Sequence, residues 1–174
     1  MKRLLLMRHG QAGWDGDEQN DFDRFLTPQG QADSKTIGSW IVAQAFAPDV
    51  GLISEARRTS QTWEILDKCM LESAPAQLLA DLYLASPGAL LSQIEKLSDD
   101  IETALILGHN PGLESLARLM SGPGSKQKAV DDLRLGVPPA GLAVIELNGD
   151  SWRTMSALGG LLTHFVRPQD MKKG

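Results

Sequence analysis

Short apolar runs alternate with longer amphipathic stretches along this chain, the pattern of an α/β layer fold in which sheet strands are covered by helices. Residues 4–7 are continuously apolar, as expected of a strand buried on both faces of a sheet. Residues 49–54, after Pro48, predict a second strand, residues 104–108 the clearest one, and residues 77–82 a weaker one. Residues 141–147 and 152–158, split by Asn148-Gly149-Asp150, read as a closing hairpin. Between the strands, Thr27-Pro28 is an N-cap and first-turn signal, and Ile37, Trp40, Ile41 and Ala45 recur at helical spacing up to Pro48. Residues 58–71, 87–97 and 111–120 predict further helices, residues 121–128 a loop, and residues 171–174 a fraying tail. No repeat, low-complexity tract or linker divides residues 1–174, so one three-layer α/β/α domain with a mostly parallel sheet is expected.

Composition narrows the function classes. With 42% apolar and 22% charged residues the chain is an ordinary globular one rather than a disordered one. A formal charge of −5 argues against nucleic-acid binding by general phosphate attraction, so any anion site must be local. Cys69 stands alone, has no partner for an internal disulfide, and reads as a small apolar residue in a helix, which points to the cytoplasm. The opening run through Met7 begins like a signal peptide, but Arg8-His9 interrupts it, and no later segment is apolar for long enough to span a membrane.

Ligands of open α/β sheets collect beyond the carboxyl ends of the strands, and there the sequence is unusual. The first strand runs into Arg8-His9-Gly10, the second into Ser54 with Arg57 and Arg58 a turn later, and the clearest strand into His109-Asn110-Pro111-Gly112. Such a cluster suits a phosphoryl group. Arg8 and Arg58 offer permanently charged, bidentate clamps for its oxygens. A neutral His9, kept unprotonated by neighbouring guanidinium groups, attacks phosphorus. Gly10 lets the backbone turn sharply and the substrate approach, and His109 donates to a phosphoryl oxygen as charge develops. Zinc fits poorly, since no His-x-x-x-His or Cys pair accompanies the two histidines and adjacent arginines repel a cation. Gly122-Pro123-Gly124-Ser125-Lys126 lacks the order of a nucleotide-binding phosphate loop.

Leu6-Met7-Arg8-His9-Gly10 after a first strand resembles the signature of the histidine phosphatase (phosphoglycerate mutase-like) superfamily. Residues 23–30, with Arg24-Phe25-Leu26-Thr27 and Gly30, are similar to its Arg-x-Leu-Thr-x-x-Gly block, residues 54–62 to its Ser-x-x-x-Arg-[Ala/Thr]-x-x-Thr block, and residues 107–112 to its second-histidine block. The resemblance implies a phosphoglycerate mutase-like fold and a phosphatase that works through a phosphorylated His9. It implies Arg8 and Arg58 as phosphate ligands, His109 as the second histidine, and no metal or other cofactor. Arg58 is preferred over Arg57 because it stands four residues after Ser54. Arg24 joins the cluster by likeness to the short phosphohistidine phosphatases of the SixA type; its plainer alternative is an ion pair with Asp21 or Asp23.

One departure bears on the substrate. Phosphomonoesterases and mutases of this superfamily carry a glutamate general acid in a Leu-x-Glu stretch, where this chain reads Leu82-Tyr83-Leu84. A phosphoramidate nitrogen is protonated beforehand and needs no such acid. With short segments between the blocks, this favours a phosphohistidine on another protein. A small-molecule phosphomonoesterase or mutase using Asp81 as its acid, and a non-catalytic phosphate-binding adaptor, are the alternatives. Ser54 is expected to cap the helix bearing Arg58, Thr62 to face the core or bond its helix, Asn110 to shape its turn or touch substrate, and His164 to lie on the surface.

Overall fold

The apolar run at the start of the chain becomes the middle of a six-stranded sheet. A computed structural model of the chain describes residues 1–14, 20–154 and 159–171. Its strands are β1 (Lys2–Arg8), β2 (Val50–Ser54), β3 (Ala76–Leu79), β4 (Thr103–Gly108), β5 (Leu142–Leu147) and β6 (Gly160–Val166), in the order β3-β2-β4-β1-β5-β6. β1 pairs with β4, and β2 with β4 and β3, in parallel; β5 runs antiparallel to β1 and to β6. Alternate side chains divide the core. Leu4, Leu6, Ala104, Ile106, Ala143 and Ile145 pack on one face, while Leu5, Met7, Leu105, Leu107, Leu142 and Val144 pack on the other.

Among the described residues, six helices cover the two faces. α1 (Pro28–Ala43) and α2 (Arg57–Cys69) lie on the second face through Ile37, Ile41, Trp63 and Leu66, where α6 (Pro168–Met171) also packs. α3 (Pro87–Ile94), α4 (Gly112–Met120) and α5 (Gln127–Arg134) lie on the first through Leu90, Ile94, Leu113, Leu116 and Leu133. The starts of α1 and α3 follow the sequence signals closely: Thr27 and Ser86 accept from the backbone N–H groups of Gly30 and Ala89, each with proline next. No described helix is long and apolar enough to cross a membrane.

Three sequence expectations are corrected. The last strand is residues 160–166, not 152–158. Trp152 instead starts a 3-10 turn (Trp152–Thr154), fully buried with its indole N–H donating to the Ile101 carbonyl at 2.9 Å, and residues 155–158 lie outside those described. Gly160 looks like a strand breaker but is required by packing, since a Cβ there would sit 2.6 Å from the Met120 carbonyl oxygen. The stretch 121–128 is a loop only to Lys126, after which α5 begins; with Ala129 and Leu133 as its buried residues, its apolar stripe is too thin to stand out. The strand at 77–82 is β3 followed by a 3-10 turn (Ala80–Leu82). Of the tail 171–174, Met171 closes α6 and residues 172–174 lie outside those described.

Candidate active site

Two neighbouring parallel strands deliver the two histidines. Arg8 and Gly108 are register partners, and the His9 backbone N–H donates to the Gly108 carbonyl at 3.2 Å, so His9 and His109 emerge side by side with ring centroids 5.2 Å apart. α1 follows β1 onto one face and α4 follows β4 onto the other, which opens a crevice between these strands at their carboxyl ends. α2 presents Arg58 into that crevice. Arg57, one residue earlier, is exposed and stacks over Phe25 at 4.9 Å.

The hydrogen bonds fix the tautomer of His9. Its Nδ1 lies 2.7 Å from the Gly10 carbonyl, which only accepts, so Nδ1 carries the proton. Arg58 Nε, which only donates, points at Nε2 from 3.2 Å, so the lone pair is on Nε2. With 8% of its surface exposed, His9 has its imidazole pKa pushed down to about 3. Burial is the main cause; the bond to Gly10 opposes it, and His109, Arg58 and Arg8 add to it. Desolvation therefore does more than the guanidinium neighbours to keep the ring neutral.

His109 is held in the same way. Arg58 Nη2 approaches its Nδ1 at 3.3 Å, and its Nε2 lies 2.8 Å from Ser54 Oγ. Because the guanidinium only donates, Nδ1 is the acceptor and Nε2–H donates to the serine. His109 is 3% exposed, and burial, reinforced by Arg58, lowers its pKa to about 4. Ser54 thus has a role that differs from helix capping: Ala56 is the N-cap of α2, without a side-chain cap bond, and the Ser54 hydroxyl holds the second histidine. Thr62 accepts from the Gly10 N–H at 3.0 Å and donates to the Arg58 carbonyl at 2.7 Å, tying the turn after β1 to α2.

Arg8 donates through Nη1 to the Val137 carbonyl at 2.9 Å, and its buried Nε has no protein partner, leaving donors for an anion. Asn110 donates to Glu114 Oε2 at 3.0 Å and to the Val137 carbonyl at 3.1 Å, and Glu114 also accepts from the Val137 N–H at 3.0 Å. Asn110 therefore shapes the loop that receives Arg8. Arg24 stands at the mouth, bonded to Asp21 Oδ1 at 2.8 Å and to the Ala12 carbonyl at 3.0 Å, with its guanidinium 5.3 Å from the Trp14 ring.

Asp81 does not join this group: it is exposed and accepts from Gln93 at 3.4 Å. His164 is half-buried on β6 and packs edge-on against Trp40 and Phe46 rather than lying free on the surface. Two residues that the sequence reading did not place in the site are there. Tyr83 sets its ring edge-on to His109 at 5.4 Å and donates its hydroxyl to Asp21 Oδ2 at 2.7 Å. Asp21 also accepts from Arg58 Nη2 at 2.9 Å, and its backbone carbonyl accepts from Arg58 Nη1 at 2.6 Å. Position supplied the signal for both, Asp21 three residues before Arg24 and Tyr83 inside the Leu-x-Glu-like stretch. The described residues contain no cluster of three or more His, Cys, Asp or Glu able to hold a metal ion.

Comparison with known proteins bears on the family and the fold. The family model of the histidine phosphatase superfamily (branch 1) matches residues 4–83. An uncharacterised protein of Mycobacterium tuberculosis is 32% identical over 144 residues, which span 82% of this chain and 88% of that protein. The phosphohistidine phosphatase SixA of Escherichia coli is 27% identical over 63% of this chain and 68% of its own length. Among solved structures, a SixA-type protein of Agrobacterium tumefaciens superposes with a TM-score of 0.80 at 26% identity, covering 96% of this chain and 98% of that one.

Proposed function

The chain belongs to the histidine phosphatase superfamily, and from that premise we propose that it hydrolyses a protein phosphohistidine by taking the phosphoryl group onto His9 and passing it to water. The observation that carries the reading is the state of His9. A neutral ring with its proton committed to Gly10 presents the Nε2 lone pair to the guanidinium that would hold the phosphoryl oxygens.

In the first step the His9 Nε2 lone pair forms a bond to phosphorus, and the bond from phosphorus to the leaving group breaks with its electron pair staying on the leaving atom. Arg58 turns its donors from the two imidazoles to the phosphoryl oxygens, joined by Arg8 and Arg24. Ser54 can donate as well as accept. When its hydroxyl donates to His109 Nε2, the His109 proton moves to Nδ1 and faces the phosphoryl group. In the second step water adds to phosphorus, the bond to Nε2 breaks, and its electron pair returns to His9. Both protons of the water leave with dihydrogen phosphate, which then equilibrates with solvent.

A protein substrate is supported by the short segments between the blocks and by exposed apolar side chains at the mouth. Trp14 lies beside Arg24, and Leu84 follows Tyr83 in the chain. The likeness to the phosphohistidine phosphatase of E. coli supports a phosphohistidine. The cytoplasm is the compartment this reading assigns.

Incubation with a radiolabelled phosphohistidine peptide tests it. The expected result is an acid-labile label on His9 and release of inorganic phosphate. His9→Ala should abolish both while calorimetry still detects phosphate binding. Binding without label or turnover would instead identify an adaptor.

A further inference from the structure

The missing glutamate leaves open what the site offers the leaving group, and the carboxylate at the mouth answers it. Asp21 opens a 3-10 turn (Asp21–Asp23) whose N-cap, Asn20, accepts from the Asp23 N–H. Its Oδ2 accepts from Arg58 at 2.9 Å and from Tyr83 at 2.7 Å, its Oδ1 from Arg24 at 2.8 Å, and its carbonyl from Arg58 at 2.6 Å. One planar guanidinium therefore holds the nucleophile on Nε and the carboxylate on its terminal nitrogens. His9 lies inside, 8% exposed, and the Asp21 side chain outside, 42% exposed. A phosphoryl group on Arg58 would have His9 behind it and Asp21 beside the path of its leaving group.

The geometry points to Asp21 as the residue that selects the leaving group, by accepting the ring N–H of a phosphorylated imidazolium as phosphorus moves to His9. This assignment rests on the phosphohistidine reading and supplies its chemical reason. The substrate ring carries phosphorus on one nitrogen, a proton on the other, and a positive charge. As Nε2 of His9 bonds to phosphorus, the P–N bond of the substrate breaks with its electron pair returning to the substrate nitrogen. The substrate leaves as neutral imidazole with its proton still on the other nitrogen, and His9 becomes the phosphorylated imidazolium. No proton is transferred and charge is conserved. Asp21 then does for the substrate ring what the Gly10 carbonyl does for His9, accepting its N–H.

An ester gains nothing from such a group. An alkyl ester's leaving oxygen needs a proton and an activated aryl ester's needs none, while Asp21, bonded to Tyr83, Arg24 and Arg58, has a pKa lowered to about 2. At neutral pH this carboxyl is ionised, so it repels a phosphate dianion without serving as an acid.

The test compares kcat/KM for a phosphohistidine peptide and for 4-nitrophenyl phosphate in the wild type, Asp21→Asn and Asp21→Glu. Loss of a mere anchor for Arg58 would slow both substrates together. The assignment predicts that the ratio of phosphohistidine to aryl ester falls about tenfold in Asp21→Asn and is restored in part by Asp21→Glu. A fall of less than threefold in Asp21→Asn, a rise, or no recovery with glutamate overturns it. Should Asp21→Asn fold poorly, the ratio for Asp21→Glu against Asp21→Ser decides in the same way. A wild type that cleaves the ester but not the peptide sinks the phosphohistidine reading itself, and the Asp21 assignment with it.

Discussion

Each histidine of the site has an oxygen on one side, the Gly10 carbonyl or the Ser54 hydroxyl, and on the other a guanidinium that can only donate. Burial makes the charged form of each costly, so the depressed values of about 3 for His9 and about 4 for His109 have a consequence for stability. In the unfolded chain both rings titrate near 6.5. As pH falls below that value the unfolded state takes up protons that the folded state refuses, so acid destabilises the fold. The contribution is whole above about pH 6.5 and is lost progressively toward pH 4 and 3. Its slope is on the order of 1 kcal/mol per pH unit for each histidine. Guanidinium denaturation at pH 7, 6 and 5 should show the unfolding free energy dropping on this scale, with a shallower dependence in His109→Asn. An unfolding free energy flat across that range would mean that the two rings are hydrated.

At the scale of elements, much was legible where one strand or helix carries its own signal. β1, β2, β4 and the start of α1 follow from apolar runs and from Thr27-Pro28, and α3 begins at Pro87 as predicted. So do the end of β1 with Arg8 and His9, the start of α2 with Arg58, and the turn after β4 with His109, because strand ends are where such residues are conspicuous. What escaped depends on tertiary partners. A glycine stands in the strand at 160 because Met120 and Ile145 leave no room for a Cβ. Ser54 holds His109 only because β2 and β1 flank β4, and Asp21 meets Tyr83 across 62 positions of sequence. The turn after β1 shows the same dependence. A Cβ on Gly10 would lie 2.6 Å from Ser34 Oγ and 2.7 Å from the Gly30 carbonyl oxygen. The serine can rotate, but the carbonyl belongs to the first turn of α1 and cannot. Gly10→Ala should therefore push the turn away from α1, cost roughly 1–3 kcal/mol of stability, and shift the carbonyl that fixes the His9 tautomer. Thermal denaturation together with turnover checks this: the two should fall together, and a variant of wild-type stability and rate would show that the turn yields freely.

Across the whole molecule, the site is where the two helical layers are joined. β1 and β4 lie side by side, yet the chain leaves them toward opposite faces, and α2 from one face supplies Arg58 to histidines at the ends of both strands. Arg8 reaches the loop after α5 on the opposite face through the Val137 carbonyl. An oxyanion between Arg8, Arg58 and the two rings would thus tie elements of both layers and bind the folded state alone. Linkage then raises stability by RT ln(1 + [L]/Kd), about 2.7 kcal/mol at a hundredfold excess over Kd. For a chain of this size that corresponds to a rise in Tm of roughly 5–10 °C. Calorimetry with tungstate or inorganic phosphate should show one transition moving upward by that amount as a unit. His9→Ala, which removes no cation, should keep most of the shift, whereas Arg58→Ala, which removes the group bridging both imidazoles, should lose it. Equal shifts in wild type and Arg58→Ala would place the anion elsewhere on the surface, and a split transition would show that the two layers unfold independently of the crevice between them.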